Sequence, residues 1–165
     1  MSHLAPELHS LPQVGSDLGE RLTTAFAAAF AADATSVVVI GTDSPDLPID
    51  YIEQAFHLLE SCASDAVIGP SIDGGYYLLG TRKLWPMLFC NIPWSTPEVL
   101  SSSLRNAEAA GCSTCFLPQW YDIDTIIDLQ RLAQSPGNAA TYTKRFIASH
   151  LTKHLLQNSG SISAM

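Results

Sequence analysis

Acidic side chains stand in three loop-like segments of this sequence, each placed where a strand-like apolar run has ended. In α/β sheets, ligands bind beyond the carboxyl ends of the strands. A carboxylate at such a position can hold a divalent cation against a diphosphate. The segments in which chemistry is expected are therefore Thr42–Pro48, Pro70–Gly75 and Trp120–Thr125.

The first segment offers Asp43, which follows the apolar run Val37–Ile40 before the turn residues begin. Asp, Ser and Pro are ordinary turn residues, and Asp46 and Asp50 suit a turn or a helix N-cap. Asp43 fits that alternative poorly, because it comes directly off the predicted strand. We predict Asp43 as a catalytic and metal-binding residue.

The second segment offers Asp73, which is followed by two glycines. Gly74 and Gly75 remove side chains where a ligand or another backbone approaches closely. Tyr76 and Tyr77 alternate across the next strand, so that one packs and the other can line a pocket. We predict Asp73 as catalytic and Gly74, Gly75 and Tyr76 as substrate-binding. A tight hairpin turn is the open alternative, for which Asp-Gly is a strong signal.

The third segment carries the pair Asp122 and Asp124. Alternation along an extended chain places both carboxylates on one face, with Ile123 directed towards the core. Such a pair ahead of a helix predicts a metal or substrate site, in which Asp124 is the better candidate ligand. The alternative is a helix entry carrying acids that favour the helix dipole.

Weaker candidates for substrate binding lie outside these segments. Trp94, Ser95 and Thr96 offer a stacking surface and hydroxyl contacts, although a core tryptophan before a helix cap fits equally well. Gly15 and Arg21 open the first helical region, where Arg21 can meet either a phosphate or a surface carboxylate.

Helical and strand-like patterns alternate along the chain without repeats. This alternation predicts one α/β domain over residues 1–157 with a mostly parallel sheet, followed by a tail at 158–165. The run Val37–Ile40 is apolar on both faces, as in an interior strand. Further strands are predicted at Ala66–Gly69, Tyr76–Gly80 and Cys112–Leu117. Helices are predicted at Asp17–Asp33 and Asp50–Cys62, each with a capping box (Asp17 with Glu20, Asp50 with Glu53), at Pro97–Ala110, after a Thr125–Asp128 cap, and at Ala139–Gln157.

The composition limits the function classes. Sixteen acidic against eight basic residues give a net charge of −8, which argues against a protein that tracks a nucleic-acid backbone. The longest apolar run, Ala25–Ala32, is too short to span a membrane, and no signal peptide is visible, so a cytoplasmic location is expected. Cys112 and Cys115 lack the second pair of a zinc ribbon, and strand spacing puts them on opposite faces, as core cysteines.

Five motifs together resemble a bacterial family of glycosyltransferase-A-fold proteins, some uncharacterised and others assigned to arsenosugar biosynthesis. They are QVGSDLGERL, GTDSPDLP, GPSIDGGYYLLG, IPWST and YDIDTIIDL, in order between about Gln13 and Leu132. The family is distantly related to the molybdenum-cofactor and phospholactate nucleotidyltransferases.

The resemblance implies a metal-dependent transferase built on the Rossmann-like sheet of nucleotide-diphospho-sugar transferases. Its substrates would be a nucleotide-sugar or nucleoside triphosphate and a small-molecule acceptor, and its cofactor Mg²⁺ or Mn²⁺. By similarity, Asp43 matches the metal-binding aspartate and Asp124 the second acidic position of the metal shell. Asp73, Gly74 and Gly75 match the loop that faces the transferred or accepting group.

The sequence departs from the family at its start. Members begin with a strand and a loop of glycine and basic residues around the nucleotide phosphates, and no such loop is found here. The resemblance therefore implies a domain truncated at its N-terminus, with Val37–Ile40 as an open sheet edge through which the chain would self-associate. The competing hypothesis is a catalytically inactive remnant that acts as a binding module. A metal phosphohydrolase is less favoured, because the acids are spaced Asp-x-x-Asp.

Overall fold

The computed structural model describes residues 10–61 and 64–151, in which helices and strands alternate as predicted. The strands are β1 (Val37–Ile40), β2 (Ala66–Pro70), β3 (Tyr76–Thr81) and β4 (Thr114–Phe116). The α-helices are α1 (Leu18–Ala31), α2 (Ile49–Glu60), α3 (Val99–Ala109), α4 (Ile126–Gln134) and α5 (Thr141–Phe146). A 3-10 helix, Pro86–Phe89, precedes α3, and a π-helical turn, Ile147–Leu151, follows α5.

The described strands form one mixed sheet in the order β1-β3-β2-β4. β3 pairs antiparallel with both β1 and β2, whereas β2 and β4 are parallel. The α/β class is confirmed, but the prediction of a mostly parallel sheet is not. The cause is the short connection 71–75 between β2 and β3, because a parallel crossover needs a dozen or more residues and a hairpin does not.

β1 lies at the edge of the described sheet, so the prediction of an interior strand is wrong for this part of the chain. Its apolar run has another cause, which is partial burial on both faces. Val37 and Val39 pack against one core cluster and Val38 packs against the other. A strand covered by helices on both faces reads as continuously apolar wherever it lies in the sheet.

The core forms one layer on each face of the sheet. On one face, Phe26 of α1 and Ala107 of α3 pack against β2 and β3, and on the other, Ala55 and Leu59 of α2 do so. Cys112 belongs to the first layer, and burial raises the pKa of its thiol to about 11, as expected for an inert core cysteine.

The second cysteine of the pair, Cys115, packs against the opposite layer, which confirms that the two thiols point to opposite faces. Cys62 lies outside the described residues.

Two of the predicted helix caps are present. The Asp17 carboxylate accepts the Glu20 N–H at 2.8 Å, although the Glu20 side chain turns back to Ser16 and leaves that capping box half-formed. Thr125 and Asp128 form a complete capping box at the start of α4. The entry to α4, next to the third acidic segment, is thereby fixed.

The predicted capping box of Asp50 with Glu53 and the predicted start of the last helix are wrong. α2 begins at Ile49 with Pro48 as its N-cap and no side-chain cap, so Asp50 and Glu53 form no capping box. Ala140 has a left-handed backbone (φ 55°), so the last α-helix, α5, begins at Thr141 and not at the predicted Ala139. Residues beyond 151, including the predicted tail, lie outside the described range. No helix in the described ranges combines the length and apolarity needed to cross a membrane.

Candidate active site at the carboxyl edge of the sheet

Three acidic loops open at the same edge of the sheet: 41–46 after β1, 71–75 between β2 and β3, and 119–125 after β4. β1, β2 and β4 run in one direction, because β3 is antiparallel to β1 and β2 and β4 is parallel to β2. Their carboxyl ends therefore meet, where α/β proteins bind ligands. A cleft of about 790 Å³ opens between the three loops, the start of α1 and the segment before α3.

The cleft brings together most of the residues singled out from the sequence. Its lining includes Asp43, Asp73, Gly75, Tyr76, Trp94, Ser95, Thr96, Asp122 and Asp124. Sequence reasoning missed the apolar wall of the cleft, because these residues lie on helices and strands where their pattern indicates only core packing. That wall includes Leu18, Leu22, Val39, Leu79 and Val99.

Asp43 is exposed in the cleft at the end of β1. A Cβ atom added to Gly41 would lie 2.4 Å from Asp43 Oδ1, so the glycine leaves room for a carboxylate folded back over the backbone. The Asp43 carbonyl accepts the Ile123 N–H at 2.9 Å. This bond joins loop 41–46 directly to loop 119–125.

Asp122 is held by two buried serines. Its Oδ1 accepts the Ser44 hydroxyl at 2.7 Å, and its Oδ2 accepts the Ser71 hydroxyl. The Ser44 hydroxyl also lies 3.1 Å from the carbonyl oxygen of Tyr121. Both oxygens of a carboxylate predicted as a metal ligand are therefore engaged with the protein.

Asp46 lies outside the cleft lining. Its Oδ2 accepts the hydroxyl of Tyr121, whose ring carries the guanidinium of Arg131 at 4.1 Å from its centre. Burial, and next the hydrogen bond to Asp46, raise the pKa of Tyr121 to about 12, so the phenol keeps its proton. Asp46 therefore anchors its loop to the rest of the domain, in keeping with its turn position in the sequence.

The predicted hairpin alternative for loop 71–75 describes the backbone correctly. Asp73 Oδ1 accepts the Gly75 N–H at 3.0 Å and shapes the turn. Gly74 has φ 93°, and a Cβ atom on it would lie 2.3 Å from the Pro97 carbonyl oxygen. The Gly74 carbonyl accepts the Leu100 N–H at 3.0 Å. Gly74 is absent from the cleft lining and has a packing role against Pro97, while its substrate contact stays a prediction.

The segment before α3 supplies an aromatic wall. Trp94 meets Tyr76 edge to face, with ring centres 6.5 Å apart and planes at 80°. Burial raises the pKa of Tyr76 to about 12, so this ring stays neutral. Ser95 adopts a left-handed backbone (φ 62°), which is uncommon for a residue other than glycine, and strain of this kind clusters at ligand sites.

Gly15 and Arg21 lie outside the cleft lining. Arg21 Nε donates to the Gly15 carbonyl at 3.2 Å, so the two residues fix each other, and the phosphate contact of Arg21 stays a prediction. Among the described residues that line the cleft, none is Lys, Arg or His.

Asp124 is the cleft carboxylate whose pKa is shifted by the other acids. Desolvation raises its pKa above the usual range, and the carboxylates of Asp122, Asp43, Asp73 and Asp128 raise it further by repulsion. A cation would relieve that repulsion. No three acidic, histidine or cysteine side chains in the described parts of the chain cluster closely enough for a complete metal site. The residues fit a partial shell, of the kind that Mg²⁺ completes with water and substrate phosphate.

Comparisons with known proteins relate the chain to one bacterial family and to one solved structure. The model of a family of uncharacterized proteins conserved in bacteria, DUF2064, matches residues 1–96. A solved structure from Desulfovibrio desulfuricans G20, provisionally named a nucleotide-diphospho-sugar transferase, is 33% identical with a TM-score of 0.77. The match covers 88% of this chain and 64% of the other, so this chain spans less than two thirds of that protein's length. The comparison with curated proteins gave no match.

Proposed function

The chain belongs to the DUF2064 family of bacterial proteins, and we propose that it is a transferase domain with a nucleotide-sugar donor. One observation carries the proposal: loops bearing Asp43, Asp73 and Asp124 converge at the carboxyl edge of the sheet. The similar D. desulfuricans protein is named for the same donor class. A nucleoside triphosphate, transferred as a nucleotidyl group, is the alternative donor, and a small molecule is the acceptor.

We propose Mg²⁺ or Mn²⁺ as the cofactor, with Asp43 and Asp124 as its protein ligands. Such a cation supplies charge neutralisation of the donor diphosphate. Two features support the choice: the repulsion of Asp124 by its neighbouring carboxylates, and a described lining without any basic side chain. An anionic donor needs a positive charge in such a cleft.

The remaining residues would position the two substrates. Asp73, at the tip of its turn, faces the transferred or accepting group, and Gly75 lets that group approach the backbone. Trp94 and Tyr76 offer ring faces and edges to an aromatic or sugar ring. The hydroxyls of Ser95 and Thr96 stand at the same wall. Catalysis would then come from alignment and electrostatics.

Thermal unfolding with Mn²⁺ and a panel of nucleotide-sugars tests the proposal. A ligand present at about a hundred times its Kd stabilises the folded state by about 2.7 kcal/mol, which raises Tm by several degrees. Asp43→Asn should abolish this shift. Asp50→Asn changes the charge equally on α2, away from the cleft lining, and should retain it. A folded wild-type chain without a shift in any donor–metal combination would remove the transferase proposal.

A binding module without catalytic activity is the second candidate. The described cleft lining has no basic residue, and β1 leaves one edge of the described sheet open. This candidate predicts that Asp43→Asn leaves every transfer assay unchanged. The transferase remains favoured because the three acidic loops converge.

Self-association through β1 is part of both candidates. The Gly41 N–H donates to the Tyr77 carbonyl at 3.0 Å. Hydrogen-bonded pairs alternate along an antiparallel ladder, so Val38 and Ile40 direct their backbone groups away from β3. These groups can pair with a second strand, and we propose that a second copy of the chain supplies it.

The finer assignments follow from the sequence motifs and are also proposals. They are the link to arsenosugar biosynthesis, the relation to molybdenum-cofactor and phospholactate nucleotidyltransferases, and a cytoplasmic location. Product analysis separates the two reactions: glycosyl transfer releases a nucleoside diphosphate, whereas nucleotidyl transfer from a nucleoside triphosphate releases pyrophosphate.

A further inference from the structure

We infer that Asp122 is a positioning residue that holds the three acidic loops in register and is not itself a ligand of the cation. That Asp122 is not a cation ligand rests on the proposed function. That Asp122 holds the loops together is a property of the metal-free chain and does not depend on a cation.

The hydrogen bonds of Asp122 reach both of the other acidic loops. Oδ1 accepts from Ser44, the residue after Asp43, and Oδ2 accepts from Ser71, two residues before Asp73. Asp122 itself stands two residues before Asp124. Asp43, Asp73 and Asp124 are therefore each within two residues of this hub, Asp122, or of a serine bonded to it.

Backbone hydrogen bonds near Asp122 join the same three loops. The Ile123 N–H bonds to the Asp43 carbonyl at 2.9 Å, and the Ile72 N–H bonds to the Trp120 carbonyl at 3.1 Å. Ser44 and Ser71 are both buried, with 7% and 3% of their surface exposed. Loss of the hub would leave the buried Ser71 hydroxyl without its acceptor and Ser44 with the Tyr121 carbonyl alone. The loops would then be joined by these backbone bonds only, and those bonds would open more readily.

The chemistry of the hub distinguishes positioning from ligation. A ligand needs a charged carboxylate, whereas the hub needs one group that can bond to two hydroxyls. Asparagine at position 122 meets the second need. Its carbonyl can accept from Ser71, and its amide can donate to Ser44, whose proton already has the Tyr121 carbonyl at 3.1 Å as another acceptor.

The test compares Asp122→Asn, Asp122→Ala and the double variant Ser44→Ala/Ser71→Ala in Mn²⁺ binding by calorimetry, with a nucleotide-sugar present. Residues that only orient ligands typically change metal affinity by about 10- to 100-fold. We expect that loss in Asp122→Ala and in the double serine variant, and a loss below about tenfold in Asp122→Asn. The inference would be overturned if Asp122→Asn bound Mn²⁺ as weakly as Asp122→Ala while the double serine variant kept the wild-type affinity, since Asp122 would then be a ligand.

Amide hydrogen exchange without metal decides whether Asp122 holds the loops together. The amides of Ile123 and Ile72 should lose protection in Asp122→Ala and in the double serine variant, while Asp122→Asn keeps it and core amides stay protected. Single Ser44→Ala and Ser71→Ala variants, each removing one arm, serve if the double variant does not fold. Unchanged protection of both amides in Asp122→Ala would overturn the inference. A wild-type chain that binds neither Mn²⁺ nor donor contradicts the proposed function and leaves the exchange result decisive for Asp122.

Discussion

At the scale of single residues, the carboxylates of one cleft differ because their surroundings differ. Asp43 is exposed, with space provided by Gly41, whereas Asp122 has a hydroxyl on each oxygen. Asp124 is raised in pKa by desolvation and by its acidic neighbours. Asp43 and Asp124 are suited to binding a cation and Asp122 to holding the loops. The sequence alone presents all three as similar acids in loops.

The raised pKa of Asp124 predicts a cost to stability at neutral pH. Its ionisation is less favourable in the folded than in the unfolded chain, so the penalty is present above the ordinary aspartate range and vanishes below about pH 4. Asp124→Asn should therefore raise Tm at pH 7 in chelator-treated buffer, and the gain should shrink as the pH falls. Thermal unfolding between pH 3 and 8 measures it.

Asp128, in the first turn of α4, provides a control because its pKa is shifted in the opposite direction. Hydrogen bonds from Thr125 hold the pKa of Asp128 below its usual range, so its ionised form stabilises the folded chain at neutral pH. Asp128→Asn should lower Tm at pH 7, and the loss should fade as the pH falls. Equal shifts of the same sign in both variants would show that the cleft carboxylates do not repel Asp124.

At the scale of elements, the turn between β2 and β3 is seated against the start of α3 through Gly74. Gly74→Ala combines a strained φ of 93° with a Cβ atom 2.3 Å from the Pro97 carbonyl oxygen. It should lower the free energy of unfolding by more than about 1 kcal/mol. Gly75→Ala places its Cβ 3.3 Å from a side-chain oxygen of Asp73, and should change stability by about 0.5 kcal/mol or less. Urea denaturation of the two variants tests the difference.

Local patterns in the sequence predict elements well and their arrangement less well. The helix α4 and its cap follow from Thr125 and Asp128, and the strand-end rule brings Asp43 and Asp73 to one edge. The antiparallel direction of β3 depends on a hairpin turn at Asp73-Gly74. In the sequence, the same two residues fit a substrate-binding loop equally well. The serine partners of Asp122 lie 78 and 51 residues away, and no local pattern encodes contacts at that distance.

At the scale of the whole molecule, charge and topology bear on the same cleft. The chain carries a net charge of −8, and the described cleft lining adds no basic side chain to its carboxylates. The sheet edge formed by β1 borders this cleft, since Val39 and Ile40 belong to its lining. Binding of an anionic donor and pairing at the edge are therefore expected to affect each other.

The open edge of β1 predicts self-association that a single charge can weaken. Ile40 is 42% exposed and directs its backbone groups outward, so Ile40→Lys places a charge where a second strand would pair. We expect sedimentation velocity to show at least about a tenfold weaker dimer, equivalent to about 1.4 kcal/mol. Ile127→Lys makes the same charge change at a 70% exposed position on α4 and should leave the dimer intact. A wild-type chain that stays monomeric at high concentration, or equal effects of both lysines, would exclude β1 as the contact.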